Sequence, residues 1–351
     1  MNSVIKHIPL VKLTRGGIVE SVHTGSAVLV DTEGKVIFEW GDVHSNTYLR
    51  SSAKPFQALA FLEHGGAQHY GLSLKEVAIL CSSHTGSADH LLTLQGLQEK
   101  IGISETQLQC GLQFPRDQES ARQLILSGEK PTANYHNCSG KHSGMLAFAK
   151  MIGAPLDSYL DPQHPVQQAI LKTFSEVVEV PVDDIQTGMD GCSAPVFAIP
   201  LRQAALGFAR FSQPAVFSSP RAEAAQLIWE AMTTHPEMIA GNERFDTEFM
   251  RCTRGSAISK HGAEGFLGMG LRGGMNSHQK AMGLAIKIED GDVDMRASPV
   301  TAMAILKHIH FFSDEQVTNL ASFDQRPLHN WRGLEVGEIR PAHIFSDSPG
   351  T

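Results

Sequence analysis

The chain has 351 residues, of which 42% are hydrophobic and 19% charged, a composition typical of a globular protein that excludes extensive disorder. Its formal net charge of −8 provides no basic field for nucleic acid, and no stretch approaches the roughly 18 apolar residues of a membrane span. We therefore expect no nucleic-acid or membrane partner, and a fold over 1–351 as a single domain, built as one unit or as two closely joined lobes.

Two further features concern the cellular compartment. Residues 1–13 are interrupted by charged residues and proline, so they lack the apolar core of a signal peptide and indicate a cytoplasmic protein. Five cysteines form an odd and sparse set, which favours free thiols or a small metal site over a disulfide framework.

The predicted elements begin with strands and continue with helices. β-Branched residues cluster in 17–23, 26–30 and 35–40, which indicates a hairpin, and Phe56 to Leu62 repeats at helical spacing. Because a further strand is predicted at 282–288, early and late strands can form one sheet with helices around it, the α/β (α+β) class. Further helices are predicted at 89–100, 145–152, 164–177, 200–210, 221–233, 245–250 and 299–311.

The first chemical motif lies at the junction of the early strands and the first helix. Ser51 and Lys54 are three residues apart, so in a first helical turn the amine can reach the hydroxyl. A serine needs a neighbouring base to become nucleophilic, and a lysine whose pKa is lowered by burial can act as that base. The alternative is a structural role, in which Ser51 or Ser52 caps the helix and Lys54 is solvated.

A second motif follows the apolar run 74–80. It contains Ser82, Ser83 and His84, whose hydroxyl groups can relay a proton or bind substrate. Capping of the helix predicted at 89–100 is the structural alternative.

A third motif combines two segments about fifty residues apart, which we predict to be polar, glycine-bearing loops at 136–144 and 188–195. Cys138 and Cys192 can meet at a metal, for which thiolates favour Zn²⁺, and a deprotonated Lys141 can complete the ligands. Two alternatives remain open: Cys138 can be a nucleophile activated by His142, or the cysteines can be buried free thiols.

A fourth motif is Lys260, at the start of a glycine-bearing turn after a short apolar segment. A lysine there can lower the pKa of a hydroxyl group or bind a carboxylate. A solvated surface lysine is the alternative.

Taken together, the motifs resemble one family, the rhizobial-type L-asparaginases, which are also called class 3, thermolabile or asparaginase II. The matching segments occur in the family's order over nearly the whole chain. They are Arg15-Gly16-Gly17 with Glu20, Ser21 and His23; 50–55; Ser83-His84; 137–144; 190–192; and 260–265.

The resemblance implies a fold like that of serine β-lactamases and glutaminases, in which a Ser-x-x-Lys serine begins a central helix. It implies two catalytic pairs, Ser51 with Lys54 and Ser83 with Lys260, and we expect Ser51 to attack. It also implies a homodimer.

The same resemblance implies two binding sites. A zinc ion would be held by Cys138, Lys141 and Cys192, and would aid substrate binding more than the chemical step. The charged ends of the amino-acid substrate would be held by Arg50, His142 and Asp190, which suits the pairing of arginine with carboxylate and of aspartate with ammonium.

Two positions depart from the family's pattern. His261 stands where a small hydroxyl residue is expected, and Thr85 where an amide is expected. Either change can affect substrate preference or the pKa of Lys260, but neither removes a proposed catalytic group.

The function expected from the sequence is hydrolysis of the side-chain amide of L-asparagine to L-aspartate and ammonia by a serine that lysine activates. One alternative is a β-lactamase-like or peptidase-like serine acyl hydrolase, since Ser-x-x-Lys also suits that chemistry. Another is a zinc- or thiol-dependent sensor without turnover.

Overall fold

The computed structural model of the protein describes residues 7–273 and 280–342. Within these ranges, no helix is both long and apolar enough to cross a membrane. The strands are β1 (Ile8–Arg15), β2 (Ile18–Asp31), β3 (Val36–Trp40), β4 (Asn46–Tyr48), β5 (Gln186–Met189), β6 (Pro195–Pro200), β7 (Ala257–His261), β8 (Phe266–Leu271), β9 (Met282–Ile288), β10 (Arg326–His329) and β11 (Glu335–Pro341).

Most helices lie between β4 and β7 in the sequence. A short 3₁₀ turn, Arg50–Ala53, leads directly into the first of them. The helices are α1 (Lys54–Glu63), α2 (Gly66–Tyr70), α3 (Leu74–Leu80), α4 (Ala88–Ile101), α5 (Gln118–Ser127), α6 (Ser139–Met151), α7 (Pro165–Val178), α8 (Leu201–Ser212), α9 (Arg221–Thr234), α10 (Pro236–Ala240), α11 (Phe245–Thr253), α12 (Ala297–His308) and α13 (Asp314–Asn319).

Eight of the described strands form one antiparallel sheet, in the order β10-β11-β1-β2-β9-β8-β7, with β3 also paired to β2. The long β2 has room for three neighbours because β1 and β3 pair with successive parts of one edge while β9 takes the other. The early strands thus meet the late strands, and the predicted α/β (α+β) class with a mainly antiparallel sheet is confirmed. Strands β4, β6 and β5 form a second, three-stranded sheet.

Four predicted boundaries differ from the structure. Segments 17–23 and 26–30 are one continuous strand, β2, and the predicted loop at 188–195 overlaps β5 and the start of β6. The polar segment 136–144 is not a loop throughout, because α6 begins at Ser139, and Lys260 lies within β7. Small polar residues resemble a loop in the sequence, whereas tertiary packing buries them here in the first turns of a helix.

One hydrophobic core joins the sheet to the helices across the described residues. The assignment of 1–351 to a single domain stays a prediction. The core is closed by aromatic contacts, among them Phe56 of α1 against Phe174 of α7 and Phe208 of α8, with ring centroids 5.8 and 5.0 Å apart. These edge-to-face contacts fix α1, and therefore the chemical motif at its start.

A close approach of α3 and α6 positions the second and third motifs. A Cβ atom at Gly140 would lie 2.1 Å from the carbonyl oxygen of Ile79, so only glycine allows this contact. The segment after α3, which carries Ser83, is thereby held beside the start of α6, which carries Lys141.

Replacing Gly140 with alanine should therefore separate the two helices. We expect Gly140→Ala to lower the free energy of unfolding, measured by urea denaturation, by about 1–3 kcal/mol. The control is Gly96→Ala within α4, where the nearest atom to a new Cβ is 4.0 Å away. That change should raise the free energy of unfolding by about 0.5–1 kcal/mol. Equal effects at both positions would contradict the close packing of α3 on α6.

Candidate active site

Three of the predicted catalytic residues line one cavity of ≈ 280 Å³: Ser51, Ser83 and Lys260. They come from distant parts of the chain, namely the 3₁₀ turn before α1, the segment after α3, and strand β7. The fold therefore brings together groups that are more than 200 residues apart in the sequence.

Two buried lysines contact the same serine. Lys54 Nζ lies 3.0 Å and Lys260 Nζ 2.9 Å from Ser83 Oγ. Both lysine side chains are only 1% exposed, and each also donates to backbone carbonyl groups, Lys54 to Ser82 and Asn137, and Lys260 to His261. The predicted Ser83 and Lys260 pair is thus in contact, and Lys54 joins it.

The burial of these two amines favours their neutral forms. It lowers the pKa of Lys260 to about 7, although the nearby Asp246 carboxylate partly opposes the shift. Burial also lowers the pKa of Lys54, against the effect of a thiolate at Cys138. If both amines were protonated, two ammonium groups would lie on opposite sides of the Ser83 hydroxyl group and repel each other. Loss of one proton from the two lysines is therefore favoured near neutral pH.

Ser51 is half-buried and faces the same cavity. Within the described ranges its hydroxyl group makes no hydrogen bond to Lys54, whose amine is engaged by Ser83 instead. The residue before it, Arg50, has φ = 51°, a left-handed conformation that is unfavourable for a side chain of this kind and that occurs preferentially at functional sites. The roles predicted for Ser51 and Lys54 stay predictions. Ser52 is fully buried, and its hydroxyl group donates to the Lys260 carbonyl oxygen.

The unexpected His261 is held by an aspartate that the sequence did not single out. Asp246 Oδ1 lies 2.8 Å from His261 Nδ1, and its other oxygen accepts from the His261 backbone N–H at 2.9 Å. His261 Nε2 is 3.2 Å from Ser298 Oγ, but Ser298 is fully buried and donates to Asp292, so this set contains no accessible nucleophile. These contacts fix the position of His261, whose backbone carbonyl oxygen accepts a hydrogen bond from the Lys260 amine.

The three predicted zinc ligands lie together and are buried. Lys141 Nζ is 3.1 Å from Cys192 Sγ, and Cys138 Sγ is 3.1 Å from Asn137 Oδ1. The neighbouring Cys192, together with Lys54 and Lys141, lowers the pKa of Cys138 well below its usual value, whereas the neighbouring Cys138 and burial raise the pKa of Cys192.

The set of two thiols and one amine fits the soft-ligand preference of Zn²⁺. The fit depends on the lysine, because the described part of the chain contains no group of three His, Cys, Asp or Glu side chains placed to hold a metal. The cysteines raise the pKa of Lys141 despite its burial, so its amine would have to lose a proton to become a ligand.

The three predicted substrate-binding residues are placed differently from one another. Arg50 and Asp190 form a half-buried ion pair, with Nη2 2.8 Å from Oδ1. His142 is fully buried, and burial keeps its pKa well below the usual value. Its Nδ1 lies 2.6 Å from the hydroxyl group of Tyr159, while Nε2 has no hydrogen-bond partner among the described residues. Binding of substrate by these three residues stays a prediction.

The cavity also contains residues that sequence reasoning missed. Among them are Asp246 and four arginines: Arg116, Arg244, Arg296 and Arg326. Asp246 lies in the first turn of α11, where an acidic residue is ordinary, and only its contact with His261 distinguishes it. The arginines are scattered along the chain without a motif, so no signal in the sequence relates them.

Comparison with solved structures finds similar folds at low sequence identity. A probable glutaminase from Bacillus subtilis complexed with 6-diazo-5-oxo-L-norleucine matches with a TM-score of 0.40 and 11% identity over 81% of this chain and 82% of its own. A β-lactamase from Mycobacterium bovis matches with a TM-score of 0.42 and 17% identity over 82% of this chain and 95% of its own. At these scores the similarity says nothing about chemistry.

Comparison with sequences is more decisive. No curated protein matches the chain significantly. The family model described as L-asparaginase II matches residues 11–341, which include each of the predicted site residues. The protein therefore belongs to the L-asparaginase II family of amidohydrolases.

Proposed function

We propose that the protein hydrolyses the side-chain amide of L-asparagine to L-aspartate and ammonia. The observation that carries this proposal is the contact of two buried lysines with Ser83, in a cavity that Ser51 also lines. Such an arrangement can move protons between three groups without bulk water, as amide hydrolysis requires when a serine attacks and an amine departs.

The reaction begins with loss of one proton from the set of Lys54, Ser83 and Lys260. Since Lys260 has a pKa of about 7, it loses this proton first, and exchange through the Ser83 hydroxyl group leaves Lys54 neutral. Lys54 then accepts the proton of Ser51 as the serine oxygen bonds to the amide carbon. The dipole at the start of α1 favours the negative charge that develops on the carbonyl oxygen.

The same groups complete the turnover. The proton on Lys54 passes through Ser83 to the amide nitrogen, the carbon–nitrogen bond breaks, and ammonia leaves an ester on Ser51. Water then attacks this ester, giving a proton to Lys54, and Lys54 returns that proton to the Ser51 oxygen as the bond to Ser51 breaks and aspartate is released. Ser51, Lys54, Ser83 and Lys260 thus have separate roles as nucleophile, base, relay and proton store.

Substrate binding would use the ion pair beside Ser51. Arg50 would turn from Asp190 to the α-carboxylate, and Asp190 would accept the α-ammonium group. His142 is neutral and buried against Tyr159, so in this proposal it would bind the substrate by a hydrogen bond rather than by charge. A homodimer remains part of the proposal.

We further propose that Cys138, Lys141 and Cys192 hold one zinc ion, because they unite two thiols and an amine in a buried position. The ion would neutralise the thiolates and fix the loop that carries Asp190 next to α6. Its contribution would be to substrate binding.

The first test compares ammonia release from L-asparagine and L-glutamine. In the folded protein, Ser51→Ala should lower kcat with L-asparagine at least about a thousandfold because the nucleophile is lost, and Ser83→Ala should lower it about 100-fold or more because the relay is broken. Ser322→Ala, an exposed serine on the same cavity, is the control and should keep its activity.

Mass spectrometry of peptides from a chemically quenched reaction should then find the acyl group on Ser51. An acyl group on Ser83 would assign the attack to the other serine, and release of ammonia from neither amide would reject the proposed function.

The pH dependence tests the role of Lys260. Because one proton must be lost, kcat/KM should rise with pH and level off above about 7. The groups that face Lys260 are Asp246, Lys54, Cys138 and Cys81; Asp246 raises the pKa of Lys260 more than the two cysteines do, and Lys54 lowers it. Asp246→Asn removes the carboxylate charge, so the rising limb should move to lower pH. A limb that stays in place or moves to higher pH would exclude Lys260 as its origin.

Zinc analysis tests the metal proposal. The purified, reduced protein should contain about one zinc ion per chain by plasma mass spectrometry. Cys192→Ser should lose the zinc and raise KM for L-asparagine more than it lowers kcat. Cys252→Ser, at a half-exposed thiol outside the site, should keep the metal. Absence of zinc from the reduced wild-type protein would reject this site.

A further inference from the structure

Four arginines line the cavity that contains Ser51, Ser83 and Lys260. They are Arg116, Arg244, Arg296 and Arg326, from four separate segments of the chain. Within residues 7–273 and 280–342, none has a carboxylate oxygen within ion-pair distance, whereas other arginines, such as Arg50, Arg210 and Arg221, are paired. The protein has 37 acidic side chains against 29 basic ones, so unpaired guanidinium groups at one place are unexpected.

Arg116 and Arg244 are close enough to repel each other. Arg116 is exposed, but partial desolvation by the surrounding protein and the charge of Arg244 both lower the pKa of Arg116. Arg244 donates to the sulfur atom of Met295, a weak acceptor. Two neighbouring cations without an acidic partner are unfavourable in the free protein, and an anion between them would remove that cost.

Arg296 and Arg326 are held by neutral acceptors. Arg296 Nε lies 3.0 Å from His23 Nε2, and the other ring nitrogen of His23 is 2.6 Å from Asp290. Arg326 donates to the carbonyl oxygen of Asp324 at 3.1 Å. These contacts leave other N–H groups of both side chains available for a ligand, because a guanidinium group has five donors.

The acidic residues of the cavity do not neutralise the arginines. Asp246 is already engaged by His261 and Ser259. Glu243 and Asp294 are exposed, and neither forms an ion pair in the described part of the chain. The cavity therefore has an excess of positive charge in a protein whose net charge is −8.

The positive charge of these arginines lies in the same cavity as Ser51, where the substrate is proposed to react. Arg50, the expected partner of the α-carboxylate, is paired with Asp190 and is not among the lining residues of this cavity. Arg116 and Arg244 also line a second cavity of ≈ 550 Å³, which shares them with the first as common wall residues. A molecule that fills the cavity of Ser51 as far as this shared wall would therefore lie beside both arginines.

We propose that the active site takes amides that carry a second carboxylate, in the form of asparagine linked to an acidic residue, with this carboxylate bound between Arg116 and Arg244. This inference rests on the proposed amide hydrolysis and extends its substrate class from free L-asparagine to asparagine linked to an acidic residue. Planar guanidinium groups bind carboxylates in a bidentate manner, which provides both affinity and orientation.

The test uses two pairs of dipeptides that differ in one carboxylate: L-aspartyl-L-asparagine with L-alanyl-L-asparagine, and L-asparaginyl-L-aspartate with L-asparaginyl-L-alanine. Ammonia release should show a kcat/KM at least about tenfold higher for the acidic member of one pair. Arg116→Gln and Arg244→Gln should each bring that ratio towards one. Arg122→Gln, at an exposed arginine of α5 that does not line the cavity, should leave the ratio unchanged.

A binding experiment separates failure of this inference from failure of the proposed function. Calorimetric titration with malonate, which needs no turnover, should show binding to the wild-type protein and to Arg122→Gln but at least about tenfold weaker binding to Arg116→Gln. If no amide is hydrolysed but malonate binding depends on Arg116, the proposed function fails and the anion site stands. The inference would be overturned if, in both pairs, the acidic and the neutral dipeptide had the same kcat/KM. It would also be overturned if Arg116→Gln left malonate binding unchanged.

Discussion

The rest of this site depends on one interaction: the buried amines of Lys54 and Lys260 both contact the hydroxyl group of Ser83. An ammonium group that leaves water loses several kcal/mol of hydration, and two such groups on one hydroxyl group also repel each other. The fold compensates with carbonyl groups of Ser82, Asn137 and His261 placed around the two amines. The remaining cost lowers the pKa of Lys260 to about 7, which gives the protein an amine that can exchange protons at neutral pH.

The scaffold explains how this costly arrangement is held. Lys54 is fixed by α1, which is packed against α7 and α8 through Phe56, and Lys260 is fixed in the sheet, opposite Gly268 of β8. Ser83 lies after α3, which α6 approaches closely at Gly140. The groups that must remain buried are thus held by a helix start, a strand and a tight helix contact, so none can easily turn towards solvent.

The sequence predicts the parts of this arrangement that depend on local pattern. The periodicity at 56–62 predicts α1, the β-branched clusters predict β2 and β3, and the order of the motifs indicates the family. The local spacing of Ser51 and Lys54 predicts a contact between them, but the structure places the amine on Ser83, because the direction of a buried side chain is decided by carbonyl groups from distant segments. The same reason explains why Asp246 and the arginines escape prediction, since each acquires its significance only through tertiary contacts.

Lys260 and the arginines share a cavity, and this has an electrostatic consequence for the proposed chemistry. An anion that enters next to a lysine stabilises the ammonium form and raises its pKa, which would oppose the loss of a proton from Lys260. Guanidinium groups stay charged at any pH of interest, so they can balance the charge of such an anion without competing for the proton. Arginine rather than lysine at positions 116, 244, 296 and 326 would therefore allow the proposed acidic substrate to bind while Lys260 keeps a pKa close to neutrality.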